Sequence, residues 1–198
     1  MKNYYLYNDI AETCFGDVCC AEDFVKLLDE APNDEITIYI NCFGGEVAAA
    51  FSMLAAMERH TGKIKTVVDG VAASCASWLA LSGDECEISE NGEFYIHSAQ
   101  SSVCGNCYDM EREAENLRSY DERIRTIYSK KARAEANDFE GMMRTGTLLT
   151  AQEVATIWNV ATIPQKKIVT NKTKYKEIEI KCKKRPETTE IDDPDFII

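Results

Sequence analysis

The sequence predicts an α/β domain built from repeated units of strand, turn and helix. Two stretches carry this pattern. A β-prone run leads into Gly44-Gly45 and then an apolar helix, and a second run leads into Gly70 and another helix. Short connections of this kind favour parallel strands joined by helical crossovers. With 198 residues, 45% of them hydrophobic, the chain is long enough to bury one core and carry a tail.

The elements before the first glycine turn follow from local patterns. Residues 4–7 are aromatic and β-prone, which predicts a short strand. Residues 21–28 place apolar side chains on one face after an acidic first turn, which predicts an amphipathic helix. Alternating isoleucines at 36–40 predict a strand. Residues 47–57 are apolar on most sides, which indicates a buried helix.

The second unit begins with a predicted strand at 64–68 and a turn at Gly70, followed by helix formers at 76–81. Two further short strands are predicted at 86–89 and 94–96.

The end of the first buried helix is predicted at His60 and Gly62. The imidazole is suited to meet free carbonyls there, and glycine is suited to a left-handed cap.

A long amphipathic helix is predicted at 109–132, where apolar residues recur every three or four positions among dense charges. Its narrow apolar stripe is longer than a small core needs. Part of the helix therefore projects and packs on another subunit, or the helix lies solvated on its own domain. A last helix is predicted at 151–158, with Thr150 as N-cap and Glu153 completing a capping box.

Composition excludes several function classes. The net charge of −12 argues against nucleic acid as a partner, because phosphate binding needs clustered Lys and Arg. No apolar run is long enough for a membrane span, and the first residues lack a signal-peptide layout, so a cytoplasmic protein is expected.

The end of the chain has a different composition. Nine of the 22 basic residues fall between Lys166 and Arg185, and an acidic terminus follows. This pattern predicts a charged tail with one short strand near 178–182.

Nine cysteines in a chain without an export signal are expected to be reduced thiols. Cys104 and Cys107 form one Cys-x-x-Cys, but there is no second pair and no histidine at ligand spacing. The sequence therefore predicts a loop there and no metal site.

Ser74 lies between a glycine turn and an apolar helix. A serine at the start of a helix lies next to backbone N–H groups that have no partner within the helix. A nucleophilic serine needs such donors to stabilise the oxyanion that forms on the carbonyl it attacks. Small-residue turns of this kind also serve as packing devices. His97, one of two histidines, directly follows a predicted strand and is a candidate base, although strand-end histidines often have structural roles.

Taken together, these segments resemble the Clp-type serine peptidases, and most closely the Clp-like head maturation proteases of tailed bacteriophages. The resemblance covers residues 4–154, and its motifs occur in family order. They are Ile38-Tyr39-Ile40-Asn41 with Phe43-Gly44-Gly45, Asp69-Gly70-Val71-Ala72-Ala73-Ser74, Tyr95-Ile96-His97-Ser98, and the helix after Gly105-Asn106.

The resemblance implies a ClpP/crotonase-like fold of stacked strand–helix turns, with a protruding handle helix at about 108–134. The peptidase domain would span residues 1–168 and the charged tail 169–198. Subunits would associate into homo-oligomeric rings, as a heptamer or double ring, with active sites inside a chamber. The implied partners are polypeptide substrates, an ATP-driven AAA+ unfoldase, or capsid and scaffold proteins, and no cofactor is implied.

The resemblance also implies roles for individual residues. Ser74 matches the family nucleophile and His97 its general base, while the backbone N–H groups of Gly45 and Cys75 match the oxyanion hole. The thiol of Cys75 has no role in that pattern.

The sequence departs from the family pattern at three places. An acidic residue is expected at position 146, where this chain has Gly146. A proline is expected at Phe43, and residues 158–162 replace a Tyr-Gly-Leu-x-Asp segment. Three outcomes stay open at the third triad position: Asp138, Glu140 or Asp109 substitutes for the acid, a Ser-His dyad works alone, or the enzyme is weak or inactive.

The resemblance thus implies a serine endopeptidase that acts in capsid maturation or protein turnover. One alternative is a ring-forming pseudo-enzyme with an assembly or adaptor role. Another is a hydratase of crotonase architecture acting on coenzyme A thioesters. The chain has no phosphate-binding Gly-x-x-x-x-Gly-Lys loop, so ATP use would come from a partner.

Overall fold

The structure, a computed structural model, describes residues 2–14, 16, 18–133 and 138–164. The predicted strand near 178–182 and the charged tail lie outside the described residues. Within the described part, none of the helices combines the length and apolarity that crossing a membrane requires.

The described residues form nine strands and six helices, as the repeated strand–helix pattern predicts. The strands are β1 (Lys2–Leu6), β2 (Ile10–Ala11), β3 (Cys19–Cys20), β4 (Ile36–Cys42), β5 (Ile64–Ala73), β6 (Glu85–Ser89), β7 (Glu93–Ile96), β8 (Thr147–Thr150) and β9 (Val160–Ile163). The helices are α1 (Ala21–Asp29), α2 (Val47–Arg59), α3 (Cys75–Leu81), α4 (Cys107–Lys131), α5 (Phe139–Thr145) and α6 (Ala151–Ile157).

The main sheet has seven strands, and all of its pairs are parallel except β7 with β8. The order β1-β4-β5-β6-β9 runs across the sheet, while β7 pairs with the far end of β5 and carries β8 on its other side. Strands β2 and β3 form a separate two-stranded sheet. The predicted α/β class, with helical crossovers between parallel strands, is confirmed.

Strand β5 is longer than its sequence pattern predicts, and this extension positions the site. Its first half pairs with β6 at Lys65 to Val68, and its second half pairs with β7 at Val71 to Ala73. Gly70 therefore lies within the strand rather than in a turn. The Asn41 side-chain Oδ1 accepts the Val71 N–H at 3.1 Å, and a Cβ at Gly70 would lie 2.6 Å from that oxygen. The change of direction comes at Ser74.

The core lies between the main sheet and its helices. Its largest fully buried side chains belong to aromatic residues and long aliphatic residues from both halves of the chain. They include Trp78, Trp158, Tyr128, Phe24 and Phe94.

Helix α4 begins at a capping box, in which Asn106 and Asp109 satisfy each other's backbone N–H groups. Its buried residues are Ile124 and Tyr128, both in its second half. Met110, which the sequence pattern assigns to the apolar stripe, is 52% exposed. The side chains in the first half of α4 are half-buried or exposed, and none is fully buried.

The end of α2 differs in part from the prediction. His60 is the C-cap, and its Nε2 lies 2.9 Å from the Asp34 carbonyl oxygen of another loop. Gly62 does not adopt the left-handed conformation that the sequence suggested. Glycine is needed at position 62 for steric reasons, because a Cβ there would lie 2.1 Å from the Asp34 carbonyl oxygen.

The prediction of nine reduced thiols is wrong for one pair. Cys14 and Cys20 form a disulfide that closes the loop between β2 and β3. Parallel pairing of these two short strands brings the two Cα atoms to 4.9 Å, which spacing along the sequence could not indicate. Among the described residues, one group of side chains has metal-ligand geometry, and it contains these same two cysteines with Glu22.

Candidate active site

Ser74 has a backbone conformation that side chains rarely adopt. It lies between β5 and α3 with φ 54° and ψ −129°, and it is the one non-glycine residue of the described part with a positive φ. Such a conformation costs of order 1–3 kcal/mol and persists only where the surroundings hold it. Here the Ser74 N–H donates to the Tyr95 carbonyl oxygen at 2.7 Å. Because the chain turns sharply at Ser74, the serine belongs neither to the strand nor to the helix. The same strand–turn–helix arrangement is found in a nucleophile elbow.

Ser77 holds the other end of this turn. Its N–H donates to the Ser74 carbonyl oxygen at 3.1 Å, and its hydroxyl donates to the same oxygen at 2.6 Å. The Ser77 Oγ also lies 2.7 Å from the Tyr128 hydroxyl, and both residues are buried. Helix α4 is thereby connected to the Ser74 turn. The sequence analysis missed Ser77, although a serine within an otherwise apolar helix is a signal for a buried hydrogen bond.

His97 directly follows β7, the strand that pairs with the end of β5. Ala73 pairs with Tyr95 in the sheet. Ser74 therefore lies one residue beyond this pair on one strand, and His97 lies two residues beyond it on the other. The imidazole stacks on the Tyr95 ring with centroids 5.4 Å apart and planes 25° apart. Its Nδ1 is buried without a hydrogen-bond partner in the described part of the chain. Ser74 and His97 thus occupy neighbouring strand ends, and no hydrogen bond joins them among the described residues.

The turn at Gly44-Gly45 lies directly against Ser74. Both glycines have positive φ, 107° and 147°. A Cβ on Gly44 would lie 2.6 Å from the Ser74 Cβ and 3.1 Å from its Oγ, so only glycine leaves the hydroxyl room.

Strand β2 fixes this turn. The Ile10 N–H donates to the Gly44 oxygen at 2.7 Å, and the Ile10 oxygen accepts the Glu46 N–H at 2.9 Å. The Gly45 N–H lies between these two hydrogen bonds, and the Cys75 N–H is the first of α3. Backbone groups of both residues lie near the Cys75 sulfur and lower the pKa of its thiol, against the larger effect of burial. The sequence analysis did not identify Ile10, since a two-residue strand has no pattern of its own.

A family model for the Clp protease matches residues 5–163, which include every element described above except the first three residues of β1. The chain belongs to the Clp protease family. It is also similar to the ATP-dependent Clp protease proteolytic subunit of Deinococcus radiodurans, with 33% identity over 107 residues. That match covers 52% of this chain and 52% of the relative, so the chain spans about half the length of the curated relative it matches.

Two departures from the Clp pattern have clear positions in the structure. Phe43, where the sequence comparison expected proline, precedes the glycine turn and is 73% exposed. Trp158, at the start of the segment replacing Tyr-Gly-Leu-x-Asp, is fully buried, and its Nε1 donates to the Tyr128 carbonyl oxygen at 3.0 Å. The Trp158 indole therefore fills the space between α4, α5 and β7.

The acids considered as a third triad member are occupied elsewhere or do not reach the histidine. Asp138 caps α5 by accepting the Gly141 N–H at 2.8 Å. Asp109 belongs to the capping box of α4 and accepts from Arg112 at 2.6 Å. Glu140 lines a surface cavity beside Ser98. None of the three is a partner of His97 Nδ1.

Cys75 follows Ser74, but its thiol is unsuited to nucleophilic attack. The side chain is 1% exposed, and burial raises the pKa of the thiol to about 12. A raised pKa keeps the thiol protonated at neutral pH, and only the thiolate is a strong nucleophile.

Iodoacetamide at pH 7 is therefore expected to modify the exposed thiols of Cys104 and Cys107 and to leave Cys75 unmodified. Peptide mass spectrometry of the folded protein measures this directly. Labelling of Cys75 at the same rate as Cys104 would contradict the protected state of its thiol.

Proposed function

We propose that this member of the Clp protease family is a serine endopeptidase in which Ser74 is the nucleophile and His97 the general base. The observation that carries the proposal is the left-handed backbone of Ser74 at the start of α3, in contact with a glycine turn. Strain of this kind is maintained at functional sites, and a packing turn would not require it. The family membership supports the same chemistry.

The proposed reaction proceeds through an acyl-enzyme. The Ser74 oxygen attacks the scissile carbonyl carbon while His97 takes the hydroxyl proton. The backbone N–H groups of Gly45 and Cys75 donate to the oxyanion, a contribution of about 3 kcal/mol for each donor. His97 then gives its proton to the leaving amine as the C–N bond breaks. In the second half of the reaction, water attacks the acyl carbon while His97 takes its proton. His97 returns that proton to the Ser74 oxygen as the ester bond breaks.

The proposal extends to assembly. A ring-shaped homo-oligomer that encloses the active sites would cover the first half of α4, where no side chain is fully buried. Polypeptides are the proposed substrates, either capsid and scaffold proteins in phage head maturation or cellular proteins supplied by an AAA+ unfoldase. The proposed location is the cytoplasm or the assembling capsid.

One observation favours a second candidate, a ring-forming pseudo-enzyme with an assembly or adaptor role. Position 146, where the resemblance places an acid, is glycine, and His97 Nδ1 is buried without a partner in the described part. Losing the group that orients a catalytic histidine has cost about 10⁴ in rate in a serine protease. Retention of both Ser74 and His97 weighs against this candidate.

Cleavage of a library of fluorogenic peptides by the full chain tests the proposal. Ser74→Ala is expected to reduce cleavage by roughly 10³-fold or more with no change in oligomer size. Ser82→Ala is the matched control, because Ser82 caps the other end of α3 and its hydroxyl donates to the Trp78 carbonyl oxygen at 2.7 Å. Cleavage that persists in Ser74→Ala would refute the proposal. An assembled wild-type ring that cleaves nothing would support the pseudo-enzyme.

A further inference from the structure

Tyr95 contacts both residues of the proposed catalytic pair. Its carbonyl oxygen accepts the Ser74 N–H at 2.7 Å, and its ring stacks on the His97 imidazole with centroids 5.4 Å apart. Of the described residues, Tyr95 is the one whose ring stacks on this imidazole. The tyrosine therefore connects the nucleophile turn with the proposed base through one residue.

The Tyr95 hydroxyl covers Gly146. A Cβ built on Gly146 would lie 2.5 Å from the hydroxyl oxygen and 3.3 Å from Cζ. Distances this short do not occur between real atoms of these types. A side chain at position 146 therefore requires the Tyr95 ring to move from its present position.

The end of the β7–β8 pair brings position 146 near His97. Strands β7 and β8 are antiparallel, and their last pair is Ile96 opposite Thr147. His97 and Gly146 are the next residues along the chain beyond this pair. A Cβ at position 146 would contact the Tyr95 phenol, and the same ring stacks on the His97 imidazole. A carboxylate at position 146 would therefore begin beside the ring that now contacts His97.

We propose that Tyr95 is the positioning residue for His97 and fills the place from which a carboxylate at position 146 would orient it. This inference rests on the proposed function, in which His97 takes the Ser74 proton. The Nδ1 atom has no hydrogen-bond partner in the described part, so a hydrogen bond there does not set the ring orientation. The stacked phenol limits rotation of the imidazole instead.

The same contact stabilises the charge that forms during the reaction. When His97 takes the proton it becomes an imidazolium, and a cation within about 6 Å of an aromatic centroid is attracted to the ring face. Attractions of this size change a rate by roughly threefold to thirtyfold. A carboxylate stabilises an imidazolium more strongly than an aromatic ring does. This arrangement therefore predicts a peptidase that is active but slow.

Core packing does not require the tyrosine. Its side chain is 37% exposed, at the end of a strand rather than in the buried cluster. Truncation of an exposed side chain costs little stability. Variants of Tyr95 are therefore expected to fold, and their activities can be compared directly.

Four variants of the full chain test the inference by peptide cleavage. Tyr95→Phe keeps the ring and is expected to retain cleavage within about threefold, whereas Tyr95→Leu loses roughly tenfold or more. Gly146→Asp alone is expected to be impaired, because its side chain collides with the tyrosine and a non-glycine residue is strained at the φ of 68° found there. Tyr95→Leu/Gly146→Asp is expected to exceed both single variants in kcat. Tyr5→Leu is the control, since Tyr5 is a half-exposed tyrosine stacked on another ring, Tyr39, in β4.

A second readout does not depend on peptidase activity. The chain has two histidines, so a His60→Gln background leaves one imidazole to observe. Magic-angle-spinning NMR of ¹⁵N-histidine-labelled protein reports the tautomer of His97 in an assembly of any size. Tyr95→Leu is expected to change the two ring-nitrogen shifts, and Tyr95→Phe to leave them unchanged.

The two readouts separate the two proposals. If the wild type cleaves no peptide while Tyr95→Leu alters the His97 nitrogen shifts, the proposed function fails and the positioning contact stands. If Tyr95→Leu leaves the shifts unchanged or cleaves within twofold of wild type, the role of Tyr95 is overturned whatever the peptidase result.

Discussion

Gly45→Ala is expected to reduce peptide cleavage by roughly 10²-fold or more. Gly45 has φ 147°, and a Cβ there would lie 2.1 Å from the Ile10 carbonyl oxygen and 2.7 Å from the Ile10 nitrogen. All three of the nearest atoms belong to the Ile10 backbone, which leaves no room for a small adjustment. The turn must therefore move away from β2, and the Gly45 N–H leaves its place beside Ser74. Removal of one oxyanion donor has cost about 10² to 10³ in kcat in a serine protease.

Gly16→Ala is the matched control for this prediction. Gly16 also has a positive φ, 77°, but a Cβ there would meet no atom within 4 Å. Gly16→Ala therefore introduces backbone strain without a steric collision. We expect Gly16→Ala to cleave peptides within about twofold of wild type. Equal losses in the two variants would show that strain in glycine turns, and not displacement of the Gly45 N–H, reduces activity.

Trp158→Ala is expected to lower the free energy of unfolding by about 3–5 kcal/mol. The indole is fully buried, and its Nε1 donates to the Tyr128 carbonyl oxygen. It lies 5.6 Å from the Phe139 ring, 5.8 Å from the Tyr128 ring and 6.0 Å from the Phe94 ring, measured between centroids. Its removal leaves a cavity among rings of α4, α5 and β7. Equilibrium urea denaturation followed by far-ultraviolet circular dichroism measures the loss.

Trp158→Phe separates the ring from the hydrogen bond. Phenylalanine keeps most of the aromatic contact and removes the Nε1 donor, so we expect a loss of about 1–2 kcal/mol. A Trp158→Ala variant within 1 kcal/mol of wild type would contradict the central packing role of this residue. It would mean that the α4 and α5 ends rearrange freely around the missing indole.

Local patterns predicted the elements whose period is set by one buried face. The alternating isoleucines of β4 and the apolar run of α2 both form the expected element. The capping box at Thr150 is also confirmed, because Thr150 and Glu153 satisfy each other's backbone N–H groups. These features depend on residues two to four positions apart, so the sequence contains all the information they need.

Features that depend on distant partners were not predictable in this way. The extension of β5 past Gly70 depends on Asn41, which is 29 residues away in the sequence. Strands β2 and β8 are short, and each exists because a backbone elsewhere pairs with it. The disulfide of Cys14 and Cys20 depends in turn on the pairing of β2 with β3. None of these has a periodic signal.

The residues of the candidate site differ in the same way in how far the sequence predicts them. Family resemblance placed Ser74, His97, Gly45 and Cys75. In the structure Ser74 and Cys75 lie where β5 meets α3, His97 directly follows β7, and Gly45 lies in the glycine turn against Ser74. Their catalytic roles remain predictions. Supporting contacts were missed, since Tyr95 reads from the sequence only as a strand residue. Its meaning depends on Gly146, which reaches it through the register of β7 and β8.

A covalent probe tests the central claim most directly. A fluorophosphonate reacts with a serine only when its hydroxyl is activated by a base and faces oxyanion donors. Incubation of the folded, assembled protein followed by peptide mapping is expected to find the adduct on Ser74, and to find none there in His97→Ala. An assembled protein that carries no adduct on Ser74, or carries it equally after loss of His97, would contradict a catalytic Ser74–His97 pair.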